Sequence, residues 1–284
     1  MSEASVTVQI DERARLATAA LAAGDWPARE QAQLAHAVHP HAKQTRQFMR
    51  QFADHPAVQG ANKALSQDVA VDELFTAALR GEWPNFAPLA PLPDSWQSEA
   101  WIGALADLAQ GRAIGRFWAE HEAVWAEARD DLANIFQDSG LIPFLSRLQR
   151  QPVTQPVVIM PNLVYPALTS VLASTQESLF LLLPPPKAVG ESPPWPYRED
   201  PSLVLAQVCD RLVGYLLAAE LAQSGVREQV LFKRAAVTLF LEQTMDEAEA
   251  MAYLVRSKKE HNLPQLPDVV EQLRSGDWKL EIRD

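Results

Sequence analysis

The chain predicts an α+β protein, predominantly helical with a small sheet, and three observations carry that class. Segments of helical length and periodicity fill most of the chain before residue 150 and after residue 200. Between them lie two short apolar runs, VVIM at Val157–Met160 and LFLLL at Leu179–Leu183, rich enough to be buried strands. Short helical segments are the alternative reading of those runs. Finally, strands do not alternate with helices; the order is helices, strands, a buried helix, then helices, which is not a βαβ repeat. Two regions result: 1–150 as a helical N-terminal region, and 151–284 as a small sheet with a buried helix and C-terminal helices, or both as one continuous domain.

Composition narrows the class of function. The 284 residues are 48% apolar and 21% charged, as expected of a globular chain with a large core. The formal net charge is −11 with no Lys/Arg cluster, which disfavours nucleic acid and anionic membranes as partners. Cys209 is the single cysteine, so no disulfide within the chain is expected. Its apolar surroundings make it a small buried hydrophobe. The N-terminal MSEASVTVQIDER has no basic start or apolar run, so a signal peptide is not expected. No stretch approaches the roughly 18 apolar residues of a membrane span. The expected location is cytoplasmic.

In chain order, the alternating SVTVQI of Ser5–Ile10 reads as a strand. Asp11 caps a helix through Ala23, ended by Gly24. Glu30–Phe52 reads as a second helical region, kinked or divided around Pro40. A turn at HPAV precedes a short helix over Asn62–Leu65, and Asp72–Arg80 forms a helix stopped by Gly81. PNFAPLAPLP, with four prolines over Pro84–Pro93, reads as a stiff extended connector. Trp96–Leu108 and Arg112–Phe136 are two further helices, the second long and amphipathic, and Gly140–Gln149 adds a short one. PNLVYPALTSVLAST, between the two apolar runs, reads as a loop with one turn of helix. PPPKAVGESPPWPYREDP comes next, too rich in proline for regular hydrogen-bonded structure. Helices are expected over Arg227–Gln243, Asp246–Glu260 and Leu266–Arg274, and a closing strand over Trp278–Arg283.

The segment Asp200–Gln223 organises the rest. Pro201 suits a first helical position, Asp200 can cap it, and the residues after Pro201 are apolar nearly all the way round the helix. One narrow polar line survives, because Gln207, Asp210, Arg211 and Gly214 fall at helical spacing. Gln207, Asp210 and Arg211 are the candidate ligand-binding residues. The plainer reading of Asp210 and Arg211 is that they point to solvent at the helix edge.

Several pieces of the chain resemble zincin-like metallopeptidases of the gluzincin kind: VTVQIDERARLATAALAAG, FADHPAV around His55, PNLVYPAL, LFKRAAVTLFL, and EAEAMAYLVRSKKEHNLPQLPDVVEQL. The resemblance implies a zincin-like C-terminal half in which Asp200–Gln223 takes the place of the zinc-bearing helix. Such enzymes use H-E-x-x-H, two His holding zinc and a Glu activating its water. No H-E-x-x-H occurs here. One placement puts Gln207 and Arg211 at the His positions and Val208 at the Glu; another uses Cys209, Val213 and Asp210. Neither supplies two good ligands, and Glu228 is poorly spaced for a third. The permanent cation of Arg211 also repels Zn²⁺. The resemblance thus implies the fold and argues against the activity.

Other candidates have plainer readings beside them. His36, His39 and His41 could meet one ion, or be surface histidines near a helix bend. Trp118, His121 and Trp125 fall on one helical stripe, an aromatic binding wall or simply core. His55 fixes a turn, and Arg256, Lys258 and Lys259 are a solvated face. No G-x-S-x-G, Walker or G-x-G-x-x-G motif appears. The leading expectation is a non-catalytic, metallopeptidase-like protein that binds a peptide, protein or small ligand and carries no cofactor or metal. The alternatives are a metal-dependent hydrolase with ligands drawn from His36, His39, His41, His55 or His121, and a helical scaffold protein.

Overall fold

The computed structural model describes residues 4–93, 96, 99–186 and 196–276. The chain divides into two compact units: a mixed unit of Val6–Asn134 and Gln155–Glu199, and a helical unit of Met1–Ser5, Ile135–Thr154 and Asp200–Asp284. Among the described residues, no helix is long and apolar enough to cross a membrane.

The mixed unit opens with β1 (Val6–Val8) and α1 (Glu12–Ala23). Asp11 Oδ1 accepts the amides of Arg13 and Ala14, satisfying donors that the first helical turn leaves open. Every residue from Ala14 to Ala22 is buried, so α1 has no solvated face beyond its first turn. Its alanines let α3, α4 and α5 pack around it.

Proline sets the next boundaries. Glu30–Phe52 is not one kinked helix but α2 (Trp26–Gln33) and α3 (Pro40–Met49), with residues 34–39 outside any helix. A residue before proline is pushed out of the helical region, so His39 becomes a cap and its Nδ1 accepts the His41 amide. The device recurs at His55–Pro56, where His55 Nδ1 accepts the Ala57 amide and α4 runs over Pro56–Ser66, well beyond the expected Asn62–Leu65.

After α5 (Val71–Leu79), the expected extended connector begins instead with a small antiparallel ladder, β2 (Gly81–Glu82) with β3 (Ala87–Pro88). Phe86 closes the turn at φ +54 by donating its amide to Glu82. Its buried ring lies against Gly81, where a Cβ would stand 2.9 Å from the ring, so this approach requires glycine. α6 (Glu99–Ala109) comes next, and Arg112–Phe136 proves to be two helices, α7 (Arg112–Glu120) and α8 (Glu122–Phe136). The break falls at His121, whose Nδ1–H donates to the Phe117 carbonyl 2.8 Å away.

The sheet has the order β1-β4-β6-β5, with β4 (Val157–Pro161) and β6 (Leu179–Leu183) at its centre. β1, β4 and β6 are parallel and β5 (Val171–Ser174) is antiparallel to β6. Both central strands are buried throughout, which is why they read as unbroken apolar runs. β5 corrects the loop expected there, since VLAS alternates buried and half-buried positions against β6. Its outer edge is met by one face of α5 and its C-cap residue: the Leu172 amide donates to Asp72 Oδ1, the Ser174 amide to Thr76 Oγ1, and Arg80 Nε to the Ser174 carbonyl. These three residues recur every fourth position, one helical stripe.

The PNLVY turn after β4 is buried, and Asn162 satisfies its polar groups. Its side chain accepts the Val164 amide and donates to the Pro166 carbonyl, while its own amide donates to the Leu183 carbonyl. Residues 187–195 of the proline-rich segment lie outside the described residues. Where it resumes, buried Tyr197 donates its hydroxyl to the Leu183 carbonyl, and Arg198 Nη1 reaches Glu127 at 2.7 Å and Asp131 at 3.0 Å on α8.

The helical unit contains α9 (Leu141–Gln149), α10 (Pro201–Leu216), α11 (Ala218–Leu221), α12 (Val226–Thr244), α13 (Glu247–Glu260) and α14 (Leu266–Ser275). α12 is central, with residues such as Leu231, Ala235, Val237 and Phe240 buried, and α10, α13 and α14 pack on it. The expected Asp200–Gln223 helix breaks at Leu217, where the backbone leaves helical geometry. The strand expected over Trp278–Arg283 lies outside the described residues.

Candidate functional site

α10 begins as its sequence dictates. Asp200 Oδ1 accepts the Leu203 amide and the Ser202 hydroxyl, and Pro201 stands at the first helical position. Val204, Leu205, Val208, Cys209, Leu212 and Val213 are buried, whereas Gln207, Asp210, Arg211 and Gly214 are all half-buried. The polar line predicted from spacing is therefore a real strip of the helix.

Asp210 of that strip is engaged from α12. Its Oδ2 accepts Lys233 Nζ at 3.1 Å, and its Oδ1 lies 3.3 Å from Arg234 Nη1, an ion pair without hydrogen-bond alignment. Arg234 Nη1 also donates to the Tyr253 hydroxyl at 3.0 Å, so the chain of contacts ties α10 to α12 and α13. The Lys233 stem passes over Gly214, where a Cβ would stand 3.6 Å from Cδ. Sequence spacing on α10 alone does not reveal Lys233 and Arg234, although LFKRAAVTLFL sets both cations inside an otherwise largely apolar run, Leu231–Leu241. Beside the strip, burial and, second, the Asp210 charge push the Cys209 thiol well up, leaving it protonated and unreactive.

A second polar cluster lies in the mixed unit, and its central residue was not singled out from sequence. Arg15 of α1 is 5% exposed. Its guanidinium lies between two indoles, 4.6 Å from the Trp118 ring centroid and 4.7 Å from that of Trp125. Nη1 lies 3.5 Å from Glu122 Oε2, while Nε and Nη2 have no hydrogen-bond partner among the described residues. Desolvation lowers the Arg15 pKa against the opposing pull of Glu122 and Glu12. The signal for this burial was the charge-free run LATAALA after it, which leaves α1 no side to face water.

His41 completes the cluster. Its Nε2 accepts Trp125 Nε1–H at 2.8 Å, which fixes a neutral ring with the proton on Nδ1. Burial, followed by His121, His39 and Arg15, pushes its pKa down to about 3. The ring also lies 5.0 Å from that of His121 and 5.9 Å from that of Phe117, with Phe48 stacked on Phe117. Trp118 and Trp125, separated by the break at His121, thus wall in a guanidinium, with His121 to one side.

The structure brings His41 and His121 together, with His39 next to His41 as its helix cap, and fastens His36 and His55 elsewhere. His36 Nδ1 donates to the Leu34 carbonyl, and its Nε2 lies 3.9 Å from the buried carboxylate of Glu30. That carboxylate holds the Ala167 amide with both oxygens. His55 Nε2 meets Asp107 at 3.2 Å. His39 lines a hollow of about 80 Å³ with Glu127, Asp131, Leu163 and Tyr197. Pro185 and Pro196, which flank the undescribed part of the proline-rich segment, border that hollow. Among the described residues, no group of three or more His, Cys, Asp or Glu is placed to hold a metal ion.

Comparison of the chain with protein-family models, curated proteins and solved structures found no match.

Proposed function

We propose that this is a non-catalytic, metallopeptidase-like protein that acts by binding a peptide, protein or small ligand. The observation carrying this reading is the engagement of Asp210 by Lys233 and Arg234. If α10 takes the place of a zinc-bearing helix, the position of the metal is held by two cations, Lys233 and Arg234. Such a cluster repels Zn²⁺ and attracts a carboxylate or other anion instead. Ligand recognition would run through this strip, with the anionic group of the ligand set against Lys233 and Arg234. The acidic balance of −11 fits work in the cytoplasm, away from nucleic acid and membrane surfaces.

Metal content of the purified chain, together with peptidase assays in added Zn²⁺, tests the proposal. The expected result is substoichiometric metal and no cleavage. Stoichiometric zinc with chelator-sensitive cleavage overturns it in favour of a hydrolase. A second reading, a helical scaffold protein, draws on the packing of α10 within its own unit, where its neighbours α9, α11 and α12 are all helices. Loss of Asp210 that changes stability without changing the binding of any carboxylate-bearing peptide favours the scaffold.

A further inference from the structure

α13 buries one face and, among the described residues, leaves the opposite face exposed. Ala250, Tyr253, Leu254 and Ser257 point inward. Ala248, Met251, Ala252 and Val255 are exposed, Met251 by 51% and Val255 by 57%. At helical spacing these four form a continuous apolar strip. Acidic residues Glu247 and Glu249 stand in its first turn, and exposed Arg256, Lys258 and Lys259 stand near its end. The helix macrodipole accounts for the sign of each end. It does not account for the uncharged strip between them, because a solitary surface helix gains nothing from exposing Met and Val there.

We propose that this face docks on the same face of a second copy, with the two α13 helices antiparallel about a two-fold axis level with residue 253, midway between Met251 and Val255. That arrangement sets the acidic end of each helix beside the basic end of the other. It also places Met251 of each copy near Val255 of its counterpart, since the two flank the axis. The alanines at 248 and 252 let the backbones approach closely. A closed two-fold contact of this kind is self-complementary by construction. A parallel pairing would juxtapose like charges at both ends.

The contact is small. A helix of 14 residues is about 21 Å long, and one face of it covers well below the roughly 800 Å² per partner of a standard stable interface. The dimer is therefore weak, and it forms at micromolar concentrations or above.

Sedimentation velocity of the full chain from about 1 to about 500 µM is expected to show a reversible monomer–dimer equilibrium. Met251→Glu should weaken it at least about tenfold, because a carboxylate is then desolvated at the centre of the contact. All the substituted side chains are exposed or half-buried, and circular dichroism checks that each variant keeps its fold. The decisive experiment uses two charge variants. Glu247→Lys with Glu249→Lys makes both ends basic, and Lys258→Glu with Lys259→Glu makes both ends acidic or neutral. Each alone should stay monomeric, and a mixture of the two should associate. Wild-type chain that is monomeric at every concentration overturns the proposal. Dimers unaffected by Met251→Glu, or variants that fail to associate when mixed, overturn it as well.

Discussion

Two clusters containing arginine differ in how the protein treats a cation. On the α10–α12 seam, Asp210 stands between Lys233 and Arg234, and all three side chains retain some contact with water, between 16% and 26% exposed. Around Arg15 the cation is almost wholly buried, and its one carboxylate partner, Glu122, is 56% exposed. The first cluster is held by opposite charge. The second is held mainly by aromatic faces, with Trp118 and Trp125 adding to a carboxylate that lies mostly in water. Opposite charge near the surface tolerates change because water can replace a lost partner. A buried cation between rings depends on those rings, so the energetic weight of the second cluster rests on its aromatic side chains.

The comparison breaks most visibly at Trp125. Trp125→Ala removes a wall of the Arg15 site and the donor to His41, and it should cost about 3–5 kcal/mol in denaturant unfolding. A loss below about 1 kcal/mol would show that the indole carries neither role. Arg15→Met sharpens the contrast in the other direction. With two guanidinium nitrogens unpartnered, an apolar side chain of similar length should raise stability by about 1–4 kcal/mol. Destabilisation of similar size would mean that the cation is satisfied within the cluster.

His41 gives the pH dependence. Its folded pKa is held at about 3, below the ordinary histidine value of about 6.5. Between these values the unfolded chain binds a proton that the folded chain refuses. Its contribution is therefore complete above about pH 6.5 and is lost at about 1.4 kcal/mol per unit as pH falls towards 3. His41→Gln keeps an acceptor for Trp125 but has no such proton, so the stability gap between wild type and variant should change by that slope between pH 6 and 4. Parallel pH curves would remove His41 from the account. The smallest effect belongs to the other cluster. Asp210→Ala leaves Lys233 and Arg234 facing each other and should cost about 1 kcal/mol, less in high salt. A cost above about 3 kcal/mol would make that seam as dependent on burial as the Arg15 site.

How much of the fold is legible in the chain depends on which forces leave a local trace. The capped start of α1, the uninterrupted strands β4 and β6, and the helices after Gly225 all leave periodic or compositional marks. β5 does not, because VLAS is defined by its partner β6 and by α5 more than by its own four residues. The breaks at His121 and Leu217 are likewise invisible to periodicity, since apolar spacing continues across both. His39 and His55 have the chemistry of possible ligands, yet the proline after each makes it a helix cap. The strip on α10 was legible as a strip, but its partners lie 23 and 24 positions along the chain, on α12. Arg15 was illegible for a similar reason: its two indoles come from α7 and α8.

The α5 stripe of Asp72, Thr76 and Arg80 has a consequence for any extended peptide. An open strand margin offers alternating donors and acceptors on which a foreign segment can template itself, whether as recognition or as aggregation. At β5 the Leu172 amide, the Ser174 amide and the Ser174 carbonyl are already taken by a carboxylate, a hydroxyl and a guanidinium on successive helical turns. Growth of the sheet past β5 would first require peeling α5 away, so this side of the protein is closed to strand addition.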